Sequence, residues 1–575
     1  MQIHRNISFL LRVSLLLFTL TATCALAAIP TAASLPGTPQ TIPGLGTTAF
    51  PTSTASPAAQ TAFMRGLLLL HLFEYPDADK AFLAAEKLDP NFAMAYWGDA
   101  MTFNHGVWNE VDVAAGHAAL DKFAPTAAAR AARIADPRER AYMAAVELLY
   151  DGTGTKAERD LRYATAMQQL SQRYPKDRNA QLFYALALIS KSESIRDVPA
   201  YLHAAAISKA IFRLEPNNPG AAHYWIHGMD DPAHAAGALE AARALSKIAP
   251  DAAHAQHMCS HIFMALGMWD DVVEANLDAI RVGEVEDKSN GLPGYDCGHY
   301  SNWLEYGFFQ QGRLRAAQQT VIACRQTGVD TAAWMAAHPG QPLYETANAA
   351  QLHRRLVNSL VFMQDVALIE SQDWNRSLSA DTTLLNPYFA VWHHFATGYA
   401  AAQRGDLVAA HSALDALRAD IQASHSEADV DPTDRQTFAV GADELSGLIQ
   451  IKEAHYDTGS AEIRHAADTY RSMPFAFGPP VTLVPPEELL GEVLLAHGDP
   501  AGARQSFQLA LERAPGRTES LLGLARAEHL AGDEASARGT YQKLAAIWHN
   551  ADTDAPGVAE AHQALTTSAQ SSNRQ

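Results

Sequence analysis

Residues 219–250, PGAAHYWIHGMDDPAHAAGALEAARALSKIAP, and residues 251–281, DAAHAQHMCSHIFMALGMWDDVVEANLDAIR, decide how the rest of the chain is read. Each segment reads as helix, turn, helix. Moving His223 and His227 forward by 34 residues lands on His257 and His261, so the histidines recur at the period of one structural unit. Both pairs are spaced i, i+4, which puts their side chains on one face of a helix, and His254 joins the second pair from one turn earlier. Stacked in phase, the units would carry a ladder of imidazoles down one wall.

At 575 residues the chain is too long for one compact core, which leaves several domains or an elongated array. Abundant Ala and Leu with little β-branched alternation favour an all-α array. The formal net charge is −20, with the acidic residues spread thinly and no basic patch, which argues against nucleic acid and anionic membrane surfaces as partners. Residues 1–27 read as a signal peptide: Arg5 and Arg12 precede an apolar run from Val13 to Leu20, and Ala25-Leu26-Ala27 supplies the small residues of a cleavage site. The expected location is periplasmic or secreted. A lipid anchor on Cys24 is the weaker alternative, because Thr21-Ala22-Thr23 lacks the Leu and the small residue such a site carries. The cysteines that remain are Cys259, Cys297 and Cys324, an odd number in a compartment that permits disulfides, and the pairing is open. No later stretch is apolar for long enough to predict a transmembrane helix in the mature chain.

Residues 28–59, rich in Pro, Thr, Ser and Gly, predict a linker or extended lead-in. Helical patterning starts near Gln60 and runs to about residue 550. Gly66, Leu69, Ala78, Phe82, Ala85 and Pro90 set out a small–large–proline template that returns as Gly491, Ala503, Phe507, Ala510 and Pro515. Residues 551–575 predict a polar, fraying tail. The template resembles the tetratricopeptide repeat, which implies an α-solenoid of helical hairpins wound into a superhelix. A narrower set of segments, among them LDPNFAMAYWGDAM, AAHYWIHGMDDPAHA, HAQHMCSHIFMALGMW and CGHYSNWLEYGFFQQGR, resembles a bacterial family of exported tetratricopeptide-repeat proteins with no established activity. Where that family often has Phe-Asn-His in the first repeat turn, this chain has Phe73-Glu74-Tyr75.

The repeat resemblance implies a protein or peptide partner on the concave wall. In register, that wall would present Met94, Trp97 and Met101, then His254, His299, Asn302 and Tyr306, then Trp392, Phe395 and Tyr399. The aromatic stripes equally fit hairpin core. A second reading makes the histidines a metal site, because i, i+4 imidazoles chelate from one face and packed helices are close enough to share an ion. His223, His227, His257 and His261 would be the four ligands of zinc, with His254, Asp230, Asp231 and His299 as further candidates. Met258 and Cys259 leave copper open. The plainer alternative is a set of hydrogen-bonded structural histidines. No catalytic residue is assigned: neither histidine pair carries the glutamate of HExxH, and no nucleophile elbow, phosphate loop or dinucleotide fingerprint occurs. The leading expectation is an exported scaffold for a protein or peptide partner, with metal binding as the alternative.

Overall fold

Phe82, on the helix Tyr75–Leu88, explains how the hairpins lock. A Cβ on Gly66 of Pro57–His71 would come within 2.8 Å of its ring, and one on Gly98 of Ala93–Met101 within 2.3 Å. One phenyl group is therefore wedged among three helices, and only glycine admits it. Phe507 repeats the arrangement between Gly491 and Gly523 (2.8 and 2.2 Å) near the other end of the chain. From Pro57 to Ser572 the molecule consists of antiparallel helices packed each against the next, an all-α solenoid of hairpins. This is a computed structural model describing residues 38–191, 196–344, 346, 348–376, 378, 382–425 and 432–572. The signal peptide expected over 1–27 lies outside them. Among the described residues no helix is long and apolar enough to cross a membrane.

Three features depart from a plain repeat. After Ala93–Met101 the chain makes a small hairpin, Asn104–His105 paired with Glu110–Val111 around the 3-10 turn Gly106–Trp108, which sends Trp108 toward His254. The stretch expected as a loose lead-in becomes a strap from residue 38 onward. There Gln40–Ile42 pairs antiparallel with Gly46–Thr48, Thr47 N donates to Asn217 O (2.8 Å), and Asp251 N donates to Gly44 O (3.1 Å). Phe50 is then buried against Phe63, Trp97 and Tyr142. Its composition hid this, because a strap held by backbone bonds and one anchoring ring needs no helical period.

The expected fraying tail is also corrected. Val558–Ser572 is a helix whose Val558 and Ala561 close the apolar end around Leu521, Leu522 and Tyr541, the job of a capping element in a solenoid. The C-terminal hairpins then fold back on the middle of the chain. Trp269 Nε1 donates to Gly516 O (2.8 Å), Trp548 Nε1 to Gln310 O (3.1 Å) and Asp552 N to Gly312 O (3.0 Å). Behind these lies buried Arg517, whose guanidinium holds Glu488 through two bonds of 2.8 Å, Glu370 at 2.7 Å and the Tyr306 hydroxyl at 3.0 Å. Cys297 and Cys324 form a disulfide, which settles the open pairing, and Cys259 is a buried free thiol.

Candidate metal centre

Pro219–Gly228 starts where Asn218 accepts the Ala221 N–H (3.3 Å) and Pro219 presets the first turn. Ala253–Ala265 has no cap of its own residues. Its first-turn amide at His254 donates instead to the Glu74 carboxylate at 2.8 Å, from the turn of the first hairpin. These two helices and the start of His299–Gln310 bring six imidazoles together.

The six divide into two groups of three. His223, His227 and His254 form one, and His257, His261 and His299 the other, with the nitrogens in each group within 4.8 Å of one another. The four-histidine set drawn from the 34-residue period is thus corrected. Each pair takes its third member from a neighbouring turn, while His227 and His261 stand 6.0 Å apart between ring centres. Equivalent pairs therefore lie side by side instead of facing one point.

Hydrogen bonds fix the tautomers. His223 Nδ1 donates to the His71 carbonyl at 2.7 Å, leaving its Nε2 as a bare lone pair. Asn276 gives its amide N–H to Val272 O (2.8 Å), so its Oδ1 must be the acceptor for His257 Nδ1 at 2.7 Å. His261 Nδ1 donates to Asp230 Oδ2 at 2.5 Å. With both Nδ1 protons committed, His257 Nε2 and His261 Nε2 face each other at 3.1 Å. In the first group the Nε2 atoms of His223, His227 and His254 are all buried without a hydrogen-bond partner. Burial disfavours the charged form of four of the rings: it pushes His223 down to about 3 and moves His227, His254 and His257 well below the ordinary imidazole value. His299 is exposed although protein surrounds it closely, as at the floor of a cleft.

Among the other predicted residues, Asp230 orients His261, whereas Asp231 is engaged by Arg196 and His234, both at 2.8 Å, and is not free to ligate. Cys259 points away, its thiol directed at Ala255 O and pushed up by burial to about 12, so it gives copper no soft ligand here. Met94, Trp97, Met101, Trp392, Phe395 and Tyr399 are at most 3% exposed and form hairpin core. Tyr306 is buried on Arg517, which leaves Asn302 and His299 as the parts of the expected groove open to solvent. Sequence reasoning missed His71, Asn276 and Phe73. Phe73 adopts φ +60° and lays its ring on His223 (4.4 Å), His227 (5.6 Å) and His254 (5.6 Å). Tyr75 stacks on His105 at 4.0 Å.

No protein-family profile matches the chain, and no curated protein matches it. Among solved structures it is similar to the human IFIT1 dimer with m7Gppp-AAAA, at 13% identity over 86% of this chain and 91% of that one, TM-score 0.31. It is similar also to yeast Tom70 (12%, 90% and 96%, TM-score 0.28) and to the TPR domain of P58(IPK) (14%, 68% and 99%, TM-score 0.21). At these identities and scores no ligand or activity passes from those proteins to this one.

Proposed function

We propose that this helical-repeat protein binds a divalent first-row transition ion, zinc being the simplest, through its two buried histidine groups. The observation that carries the reading is the convergence of ring nitrogens, one from each histidine of a group, within 4.8 Å of one another, with the Nε2 atoms of His223, His227 and His254 buried and without a hydrogen-bond partner. In the other group His257 Nε2 and His261 Nε2 stand 3.1 Å apart. Two ligands of tetrahedral zinc stand about 3.3 Å apart, given Zn–N bonds of about 2.0–2.1 Å. The acceptors behind the rings, Asn276, Asp230 and the His71 carbonyl, match the outer partners that orient metal-bound imidazoles. Such a network also fits structural histidines, but it gives them no reason to leave three Nε2 atoms buried and unpaired in one place.

The test is elemental analysis of purified protein beside a His257→Ala/His261→Ala variant. Stoichiometric metal, reduced in the variant, is the expected result; metal-free protein that takes up no zinc on dialysis removes the proposal. A protein or peptide partner would have to use side chains other than the buried aromatic stripes. Export, proposed from residues 1–27, is consistent with the Cys297–Cys324 bond, since disulfides persist in oxidising compartments. With a net charge of −20, RNA is not proposed as a ligand.

A further inference from the structure

Resting on that reading, we infer that the two histidine groups hold two unlike ions: a covered one at His223, His227 and His254, and a solvent-reached one at His257, His261 and His299 that accepts a small anion. The enclosures differ. Phe73 lies over all three rings of the first group, Trp108 packs on His254 at 5.8 Å, and the three histidines are at most 6% exposed. Phe73 holds this position at φ +60°, a left-handed conformation unfavourable for a non-glycine residue, so the cover is kept against a local penalty.

The second group is walled by Trp303 (4.8 Å from His257, 4.4 Å from His261) and by Phe477 (5.3 Å from His261), but His299 is open to solvent. Three neutral imidazoles leave a four-coordinate ion one ligand short. In the second group solvent reaches His299, so the missing ligand can come from solution, and a +2 ion held by uncharged imidazoles favours an anion. The chemical class is therefore a monodentate inorganic anion, or water in its absence.

The experiment uses the full chain loaded with cobalt(II), whose visible spectrum reports coordination. Two equivalents are expected. A chelator should remove one at least 10-fold faster than the other, and azide should alter the visible absorption of the fast-exchanging ion alone. His299→Ala, at an exposed position, should lose the fast phase and the azide response together, while His254→Gln should lose the slow phase and keep that response. Two ions released at one rate, a single ion, or an azide response that survives His299→Ala would overturn the inference while leaving metal binding intact. Protein that binds no cobalt at all would instead overturn the reading beneath it.

Discussion

Asn276 has no charge and no motif, yet it decides which nitrogen of His257 carries the proton. Asp230 does the same for His261. If these acceptors orient metal ligands, Asn276→Leu and Asp230→Ala should each weaken zinc binding by about 10–100-fold while the helical circular dichroism stays unchanged. Competition titration with a chromophoric chelator reads this directly, and unaltered affinity in both variants would count against a metal role. Glu487 is one of several carboxyls raised by desolvation, with Glu74, Glu492 and Glu519, that make the fold sensitive to alkali. Glu487 is buried with both carboxyl oxygens unpaired, and desolvation pushes it up to about 7 from an unfolded value near 4.5. Its folded-state pKa is raised, so its contribution to stability is fully present below the unfolded value and is lost as pH rises through about 7. Thermal melts from pH 5 to pH 8.5 should therefore show wild type losing stability relative to Glu487→Gln as pH rises toward about 7, with the difference levelling off above that. The histidines themselves were legible from sequence because their spacing is periodic. Of their partners only Asp230 was in view; Asn276 and the His71 carbonyl were not, because each arrives from another turn of the chain.

At the scale of elements, the glycine-flanked phenylalanines are the part of the fold most completely written in the sequence. Gly66, Phe82 and Gly98 keep the spacing of a hairpin wedge, and Gly491, Phe507 and Gly523 repeat it, so pattern and packing agree. Phe507→Ala should cost about 3–5 kcal/mol by denaturant unfolding, since three helices cannot all collapse into the space one ring leaves. A loss below about 1 kcal/mol would show that the wedge is dispensable. The strap at 38–56 and the helix Val558–Ser572 were misread for the opposite reason. Each is polar by composition and is ordered by docking onto surfaces that other segments supply, through Leu45 and Phe50 at one end and Val558 and Ala561 at the other. The aromatic stripes at Met94–Met101 and Trp392–Tyr399 went inward, as apolar residues at helical spacing usually do.

For the molecule as a whole, the histidine region is a crossing point of distant chain segments. The first hairpin turn brings Phe73 and Glu74 onto one histidine group, and the loop near Phe477 and Gly478 reaches Trp303 and His261 on the other. Arg517 ties this centre to the C-terminal hairpins through Glu370, Glu488 and Tyr306. Removing it strands two buried carboxylates, so Arg517→Met should destabilise the protein by about 3–5 kcal/mol. Denaturation followed by tryptophan fluorescence is the measurement, and a change under about 1 kcal/mol would mean the centre is held by other contacts. Adding Glu488→Gln to that variant should recover part of the loss, because one stranded charge is then removed.

The sequence by itself determined that this is an all-α solenoid and that its histidines collect in two adjacent hairpins, since both follow from periodicities that a helix imposes on neighbouring residues. Only the tertiary structure decided that the imidazoles split three and three, which nitrogen each one offers, and that one group is covered while the other is open. Those outcomes depend on the backbone carbonyl of residue 71 and the side chains of residues 73 and 477, whose approach is set by how distant segments pack and leaves no periodic trace.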